Sequence, residues 1–134
     1  PSPIALGGFY TLLAPNNAAI SQAVKDGKLP GNTTSGVPNF GVTSSGDIDK
    51  VKDFINYHVL DKNTIASDGK KEGIFPTLLK NNDGDIQYVT VLSPAKDNLS
   101  FKDINGTTVT INLNKSNNLA FRTLIHSLNS YLKY

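Results

Sequence analysis

The sequence predicts a single α+β domain. Its 134 residues are the length of one domain, and 38% of them are hydrophobic, which is enough to build a core. Two segments with the apolar spacing of amphipathic helices lie before residue 59, whereas short strand-like runs separated by turn residues fill the second half. Because helices and strands are segregated along the chain, an α+β architecture is favoured over an alternating α/β one.

The N-terminal part is predicted to be an arm followed by a buried strand. Residues 1–8 contain two prolines and two glycines and are expected to form a flexible arm. The apolar run at residues 9–14 predicts a buried strand, which Pro15 ends because proline has no N–H to donate to a sheet. The folded domain is therefore expected over residues 9–134.

A short amphipathic helix is predicted next, over residues 18–26. Asn16 or Asn17 suits its N-cap, since an asparagine side chain accepts hydrogen bonds from the free N–H groups of the first turn. Gly27 is expected just past its end, where glycine adopts the left-handed conformation that terminates helices.

Residues 30–46 form the least regular stretch, with four glycines and two prolines among mostly Ser, Thr and Asn. So long a loop in a compact domain is usually functional or disordered, and this composition favours disorder. In the functional alternative, the loop and the aromatic residues Tyr10, Phe40 and Tyr88 form a site for a small molecule or a glycan.

The clearest helical pattern covers residues 47–58. Asp47 and Asp49 fall in its first turn, where the helix dipole favours negative charge. Apolar residues and one histidine follow the 3–4 spacing of a single helix face, namely Ile48, Val51, Phe54, Ile55 and His58.

The second half is predicted to consist of strands and hairpins. An Asp-Gly turn and an Asn-Gly turn each separate two strand-like runs, which is typical of β-hairpins. Strands are expected at residues 75–79, 86–92, 99–102 and 107–113, and a final one within residues 119–132.

Composition excludes several classes of function. With no Cys, the chain has no disulfide, no Cys-ligated zinc or iron–sulfur site and no thiol nucleophile. A net charge of +2 without a basic cluster argues against nucleic-acid binding, and no apolar run is long enough to span a membrane. We expect no cofactor and no metal site. The absence of Met and the start at Pro1 suggest a processed or trimmed chain, with any export signal or membrane anchor outside it.

The two histidines are the main candidates for chemistry. His58 either bonds to the backbone and fixes the helix exit, or forms a surface pair with Tyr57 for adhesion; a metal or base role is the weakest of the three alternatives. His126 lies in an apolar strand beside Ser127, but the chain lacks the G-x-S-x-G motif of a serine nucleophile. A structural role is therefore favoured for His126, and no catalytic residue is predicted.

Several stretches occur in an order that resembles the fasciclin domain family. They are TLLAPNNAAI at residues 11–20, DFINYHVL at 53–60, PTL at 76–78, NLA at 118–120 and LIHSLNSYL at 124–132. The chain departs from the family pattern at Arg122-Thr123, where Asn-Gly is common, and at Asn129, where Asp is common. The helices that usually precede the first stretch are almost wholly missing.

The resemblance implies a β-sheet wedge with helices packed at one side. It also implies a non-enzymatic adhesion or interaction module that is extracellular or at the cell surface and binds a protein or glycan partner. The Lys- and Asn-rich style is similar to that of bacterial surface lipoproteins, whose anchor would lie outside this chain. The alternative is a structural spacer with no ligand of its own. Carried over residue by residue, the implied partner-binding residues are Tyr57, His58, Val59 and Leu60.

Overall fold

The computed structural model describes residues 10–61, 63, 65, 71–120 and 123–134. The arm expected at residues 1–8 lies outside these residues. The elements are β1 (Tyr10–Pro15), α1 (Asn17–Lys25), α2 (Ser45–Tyr57), β2 (Val59–Leu60), β3 (Gly73–Lys80), β4 (Ile86–Ala95), β5 (Asn98–Lys102), β6 (Thr108–Asn112), a 3-10 turn (Leu113–Lys115), β7 (Asn118–Ala120) and β8 (Thr123–Leu128). Helices precede most of the strands, which confirms the predicted α+β class.

The sheet closes on itself. Antiparallel pairing runs from β1 through β2, β3, β4, β5 and β6 to β8, and β8 then pairs with β1 in parallel, from Tyr10 opposite Thr123 to Pro15 opposite Leu128. The short β7 shares the other edge of β8 with β6. The wedge implied by the resemblance is therefore a barrel-like sheet, because β1 is paired along both edges.

Both helices begin at the polar residues that local chemistry favours. The Asn16 side chain accepts a hydrogen bond from the N–H of Ala19 (2.8 Å), and Gly27 follows α1 with a φ of 79°, as predicted. Helix α2 starts at Ser45, two residues before the predicted start, because the Ser44 hydroxyl accepts from the N–H of Asp47 (3.2 Å).

The predicted hairpins β3–β4 and β5–β6 are present, but the single strand predicted within residues 119–132 is wrong. This segment contributes two antiparallel strands, with Leu119 opposite Leu124, followed by a non-strand C-terminal segment. Asn129 stands where the family commonly has Asp. Its side-chain amide donates to Thr110 Oγ1 (2.9 Å) and to the carbonyl of Ile111 (3.2 Å). The end of β8 is therefore joined to β6 without a carboxylate. Arg122 lies outside the described residues.

The loop at residues 30–46 has a defined conformation, so the prediction of disorder is wrong. Asn32 Oδ1 accepts from the N–H groups of Thr34 (2.9 Å) and Ser35 (3.0 Å), and Gly31 pairs with Pro38. Gly36 has a φ of 80°, and a Cβ there would collide with Ser21 of α1. Polar side chains thus satisfy the loop backbone, while glycine permits its close approach to α1.

The core consists of two clusters joined by the C-terminal segment. One fills the sheet interior, and the other lies beneath the helices around Ala23, Val24 and Phe54. Leu132 belongs to the first cluster and Tyr131 to the second, and each is at most 1% exposed. The C-terminal segment therefore fastens the helices to the sheet.

Candidate functional site

The four residues implied as a partner-binding site are buried. Tyr57, His58, Val59 and Leu60 are between 0% and 3% exposed. Their side chains therefore present almost no surface to a partner in this fold. A binding role for them stays a prediction, and here it requires that they act by shaping the surface above them.

The His58 ring joins two parts of the backbone at the end of α2. The N–H of Leu132 donates to its Nε2 (2.9 Å), so Nδ1 carries the ring proton and donates to the carbonyl of Phe54 (2.7 Å). Burial lowers the pKa of His58 to about 4, so the imidazole is neutral at physiological pH. This arrangement matches the structural alternative, in which His58 fixes the helix exit.

Tyr57 makes an equivalent connection on the sheet side. Its hydroxyl donates to the carbonyl of Tyr88 in β4 (2.9 Å) and accepts from the N–H of Ile104 in the β5–β6 turn (3.0 Å). Burial raises the pKa of this phenol to about 12, which keeps it protonated. Tyr57 therefore links α2 to two separate hairpins.

His126 also serves the backbone with both ring nitrogens. Nδ1 accepts from the N–H of Asn117 (3.3 Å), and Nε2 donates to the carbonyl of Ile65. Burial lowers its pKa, so this ring too favours the neutral form. Neither nitrogen is directed at the adjacent Ser127 hydroxyl, and the geometry of a Ser–His pair is absent.

An apolar groove lies between β1, α1 and α2, below the 30–46 loop. Its volume is about 460 Å³. It is lined by Leu12, Leu13, Ala14, Pro15, Ile20, Leu29, Phe40, Val51, Phe54, Ile55 and His58. Apart from the neutral His58 ring, every lining residue has an apolar side chain, so the groove holds no formal charge.

Large apolar side chains stand exposed along this groove. Phe40 is 59% exposed and Ile55 is 50% exposed, and both line the groove. Ile48, about two turns earlier on α2, is 38% exposed, and Val37 in the loop is 62% exposed, but neither lines the groove. Two large exposed apolar side chains that line one groove are typical of an interaction surface. We call Phe40 and Ile55 the groove rim.

The residues that the 3–4 spacing places on one face of α2 differ in their burial. Phe54 is buried and His58 is buried, whereas Ile48 and Ile55 face solvent. The sequence signal for this exposure was the width of the apolar stripe on α2, which is larger than packing against a core requires. The proposed aromatic set is not assembled either, because Tyr10 is buried in β1, Tyr88 lies on β4, and only Phe40 lines the groove.

Two segments rich in side-chain oxygens, residues 81–85 and 47–49, lie in a turn and at the start of a helix. Asn81 Oδ1 accepts from the N–H groups of Asp83 (3.0 Å) and Asp85 (2.9 Å), which closes the β3–β4 turn. Asp47 occupies the capped first turn of α2. Within the part of the chain that the structure describes, no three His, Asp or Glu side chains group in a way that could hold a metal ion.

Comparison with known protein families gives one match. The family model of the fasciclin domain matches residues 3–133, nearly the whole chain. The comparison with curated proteins found no relative with a significant match. No helix among the described residues is long and apolar enough to cross a membrane. The chain therefore belongs to the fasciclin domain family, whose members are generally extracellular interaction modules rather than enzymes.

Proposed function

We propose that this domain is a non-enzymatic, extracellular interaction module that binds a protein partner in the apolar groove. The observation that carries the proposal is the pair of exposed side chains, Phe40 and Ile55, at the rim of an uncharged groove. A partner that inserts apolar side chains would bury both, and burial of apolar area is the main favourable contribution to such contacts.

The groove floor supports recognition by apolar contact and shape. Strand β1 pairs with β8 along its whole length and with the short β2 at Thr11 and Leu12. A partner strand therefore cannot extend the sheet at the edge of β1 that β8 covers. The chemistry offered to a partner is that of the apolar side chains.

The Tyr57–Leu60 segment contributes to this function indirectly. The His58 ring lies at the groove floor and holds the end of α2 through its bond to Phe54. The backbone carbonyl of His58 accepts from the N–H of Leu13 in β1 (2.7 Å), which fixes this end of α2 relative to β1. We assign these residues to shaping the groove, in place of direct contact with the partner.

The proposal also includes the cellular location of the domain. The Lys- and Asn-rich composition, 12 of the 13 basic residues being Lys, is similar to that of bacterial surface lipoproteins. It supports a domain held at the outside of a bacterial cell by a lipid anchor beyond these residues.

The test compares two matched variants on a panel of purified extracellular matrix proteins. Ile55→Asp places a charge on the groove rim, and Ile74→Asp places the same charge at a 69% exposed position on β3, outside the groove. We expect at least one panel protein to bind the wild-type domain, with affinity reduced at least about tenfold by Ile55→Asp and unchanged by Ile74→Asp.

Circular dichroism and urea unfolding establish that both variants fold. Equal binding by the two variants would exclude the groove as the binding site. An absence of binding to every panel protein would instead favour the spacer function.

A further inference from the structure

A second, polar pocket lies where α2, the β3–β4 hairpin and the C-terminus meet. Its volume is about 190 Å³, and it shares no residue with the apolar groove. It is lined by Asp53, Leu79, Lys80, Asn81, Asn82, Gln87, Ile104 and Tyr134. Asp53 and Ile55 are roughly 200° apart around the helix axis, so α2 contributes a different face to each site.

The pocket contains polar groups that the fold leaves unused. Asp53, Lys80 and Asn82 have no side-chain hydrogen bond or ion pair to any residue that the structure describes. By contrast, Asn81 Oδ1 closes the β3–β4 turn, and the Gln87 amide donates to the carbonyl of Asp85 (3.0 Å). The pocket therefore offers a carboxylate acceptor, an ammonium donor and a carboxamide that can do both.

Tyr134 supplies a further donor and part of an apolar wall. Its ring lies 5.3 Å from the ring of Tyr57, and Lys28 Nζ lies 4.7 Å from its centroid. Burial and, after it, the negative charge of Asp53 raise the pKa of its hydroxyl, so the phenol keeps its proton. Ile104, which is 49% exposed, and the largely buried Leu79 complete the apolar side.

We propose that the polar pocket binds one sugar ring of a glycan. A pyranose has hydroxyls that both donate and accept, and a C–H face that packs on apolar side chains. The pocket lining offers the complement of both, since it includes the polar side chains of Asp53, Asn82 and Lys80 as well as Ile104 and the Tyr134 ring. The volume suits a small ligand, since it is below the roughly 300–1,000 Å³ of sites for drug-sized molecules.

Other ligand classes fit the same residues less well. A calcium ion needs about 6–8 oxygen ligands, whereas one carboxylate lines the pocket and Lys80 opposes a cation. A phosphate would meet Lys80 but would be repelled by Asp53. A neutral ligand with several hydroxyls can hydrogen-bond to both Asp53 and Lys80 and is repelled by neither.

The proposal does not depend on the function of the groove, and the experiment separates the two. The ¹⁵N-labelled chain is titrated, in NMR spectra, with free glucose, galactose, mannose, fucose, N-acetylglucosamine and N-acetylgalactosamine. We expect at least one sugar to cause saturable shifts in the signals of Asn82, Gln87 and Ile104. A glycan array then identifies whether a larger saccharide binds with higher affinity.

Asp53→Asn is expected to weaken the sugar affinity at least about tenfold, because it removes the carboxylate acceptor. Asp49→Asn, the same change one turn earlier on α2 and outside the pocket, is expected to leave affinity unchanged, as is Ile55→Asp. Absence of saturable shifts with all six sugars overturns the proposal. Equal affinities of Asp53→Asn and Asp49→Asn overturn it as well, since binding would then lie elsewhere.

Discussion

The backbone N–H of Leu132 donates to Nε2 of His58 across 74 positions of sequence, at 2.9 Å. The same ring donates from Nδ1 to Phe54, so one neutral imidazole joins the last turn of α2 to the C-terminal segment. His58 therefore supports the groove, and the stability of the fold depends on whether its ring is protonated.

We expect His58→Ala to lower the free energy of unfolding by about 1–3 kcal/mol. The substitution leaves the N–H of Leu132 and the carbonyl of Phe54 without their partner in a buried environment. Urea denaturation followed by circular dichroism measures the change. A midpoint equal to that of the wild type would show that His58 is not a structural residue.

Stability is expected to fall in acid. His58 has a pKa of about 4 in the folded chain, against an ordinary value of 6.5, so the unfolded chain binds the proton more readily. The neutral His58 ring therefore contributes its full share to the free energy of unfolding above pH 6.5. This share is lost as the pH falls towards 4, and a pKa shift of this size corresponds to about 3 kcal/mol. The lowered pKa of His126 also makes the folded chain less stable in acid.

Unfolding free energies at pH 7.5, 6.5, 5.5 and 4.5 measure this dependence. The His58→Gln variant, whose side chain does not titrate, is expected to show a shallower decline over this range. The same slope in the variant and the wild type would assign the decline to other groups.

Tyr131→Phe is expected to cost about 1 kcal/mol of stability, since it removes the hydrogen bond from this buried phenol to the Asp26 carboxylate. That bond, with a smaller contribution from Gln22, lowers the pKa of Asp26. In the variant the pKa of Asp26 is therefore expected to rise towards its ordinary value, which an NMR titration of its side-chain carboxyl would record. An unchanged pKa would indicate that the bond does not form in solution.

Gly36→Ala is expected to destabilise the domain by about 1–3 kcal/mol, because it forces alanine into a left-handed conformation and brings its Cβ within 2.9 Å of the Ser21 carbonyl oxygen. Gly46→Ala is the matched control, since a Cβ there meets nothing within 4 Å and lies in α2. The control is expected to be neutral or slightly stabilising. Similar thermal midpoints for the two variants would contradict the packing of the loop on α1.

Local elements could be predicted because their determinants are local. Asn16 and Gly27 fix the ends of α1 through bonds and backbone angles within a few residues. The hairpins follow from turn residues that lie directly between the paired strands. Family resemblance added the domain type, since it rests on the order of several such stretches.

The rest depends on contacts between distant residues. No local pattern shows that Tyr10 pairs with Thr123, or which side of α2 faces the core. Ile55 and Phe54 are adjacent and similarly apolar, yet one lines the rim and the other is buried. The polar pocket needs α2, a hairpin turn and the C-terminus together, so its residues are far apart in the sequence.

The parallel pairing of β1 with β8 also bears on how the protein is made. Of the described strands, the first to be synthesised has the last as its neighbour. A nascent chain on the ribosome cannot complete the closed sheet until β8 has emerged, and until then the edge of β1 that β8 covers is open to pairing with other chains. Such non-local closure is also slow. We therefore expect the domain to complete its fold only once β8 has been synthesised, with chaperone shielding or translocation acting on a chain that is still open.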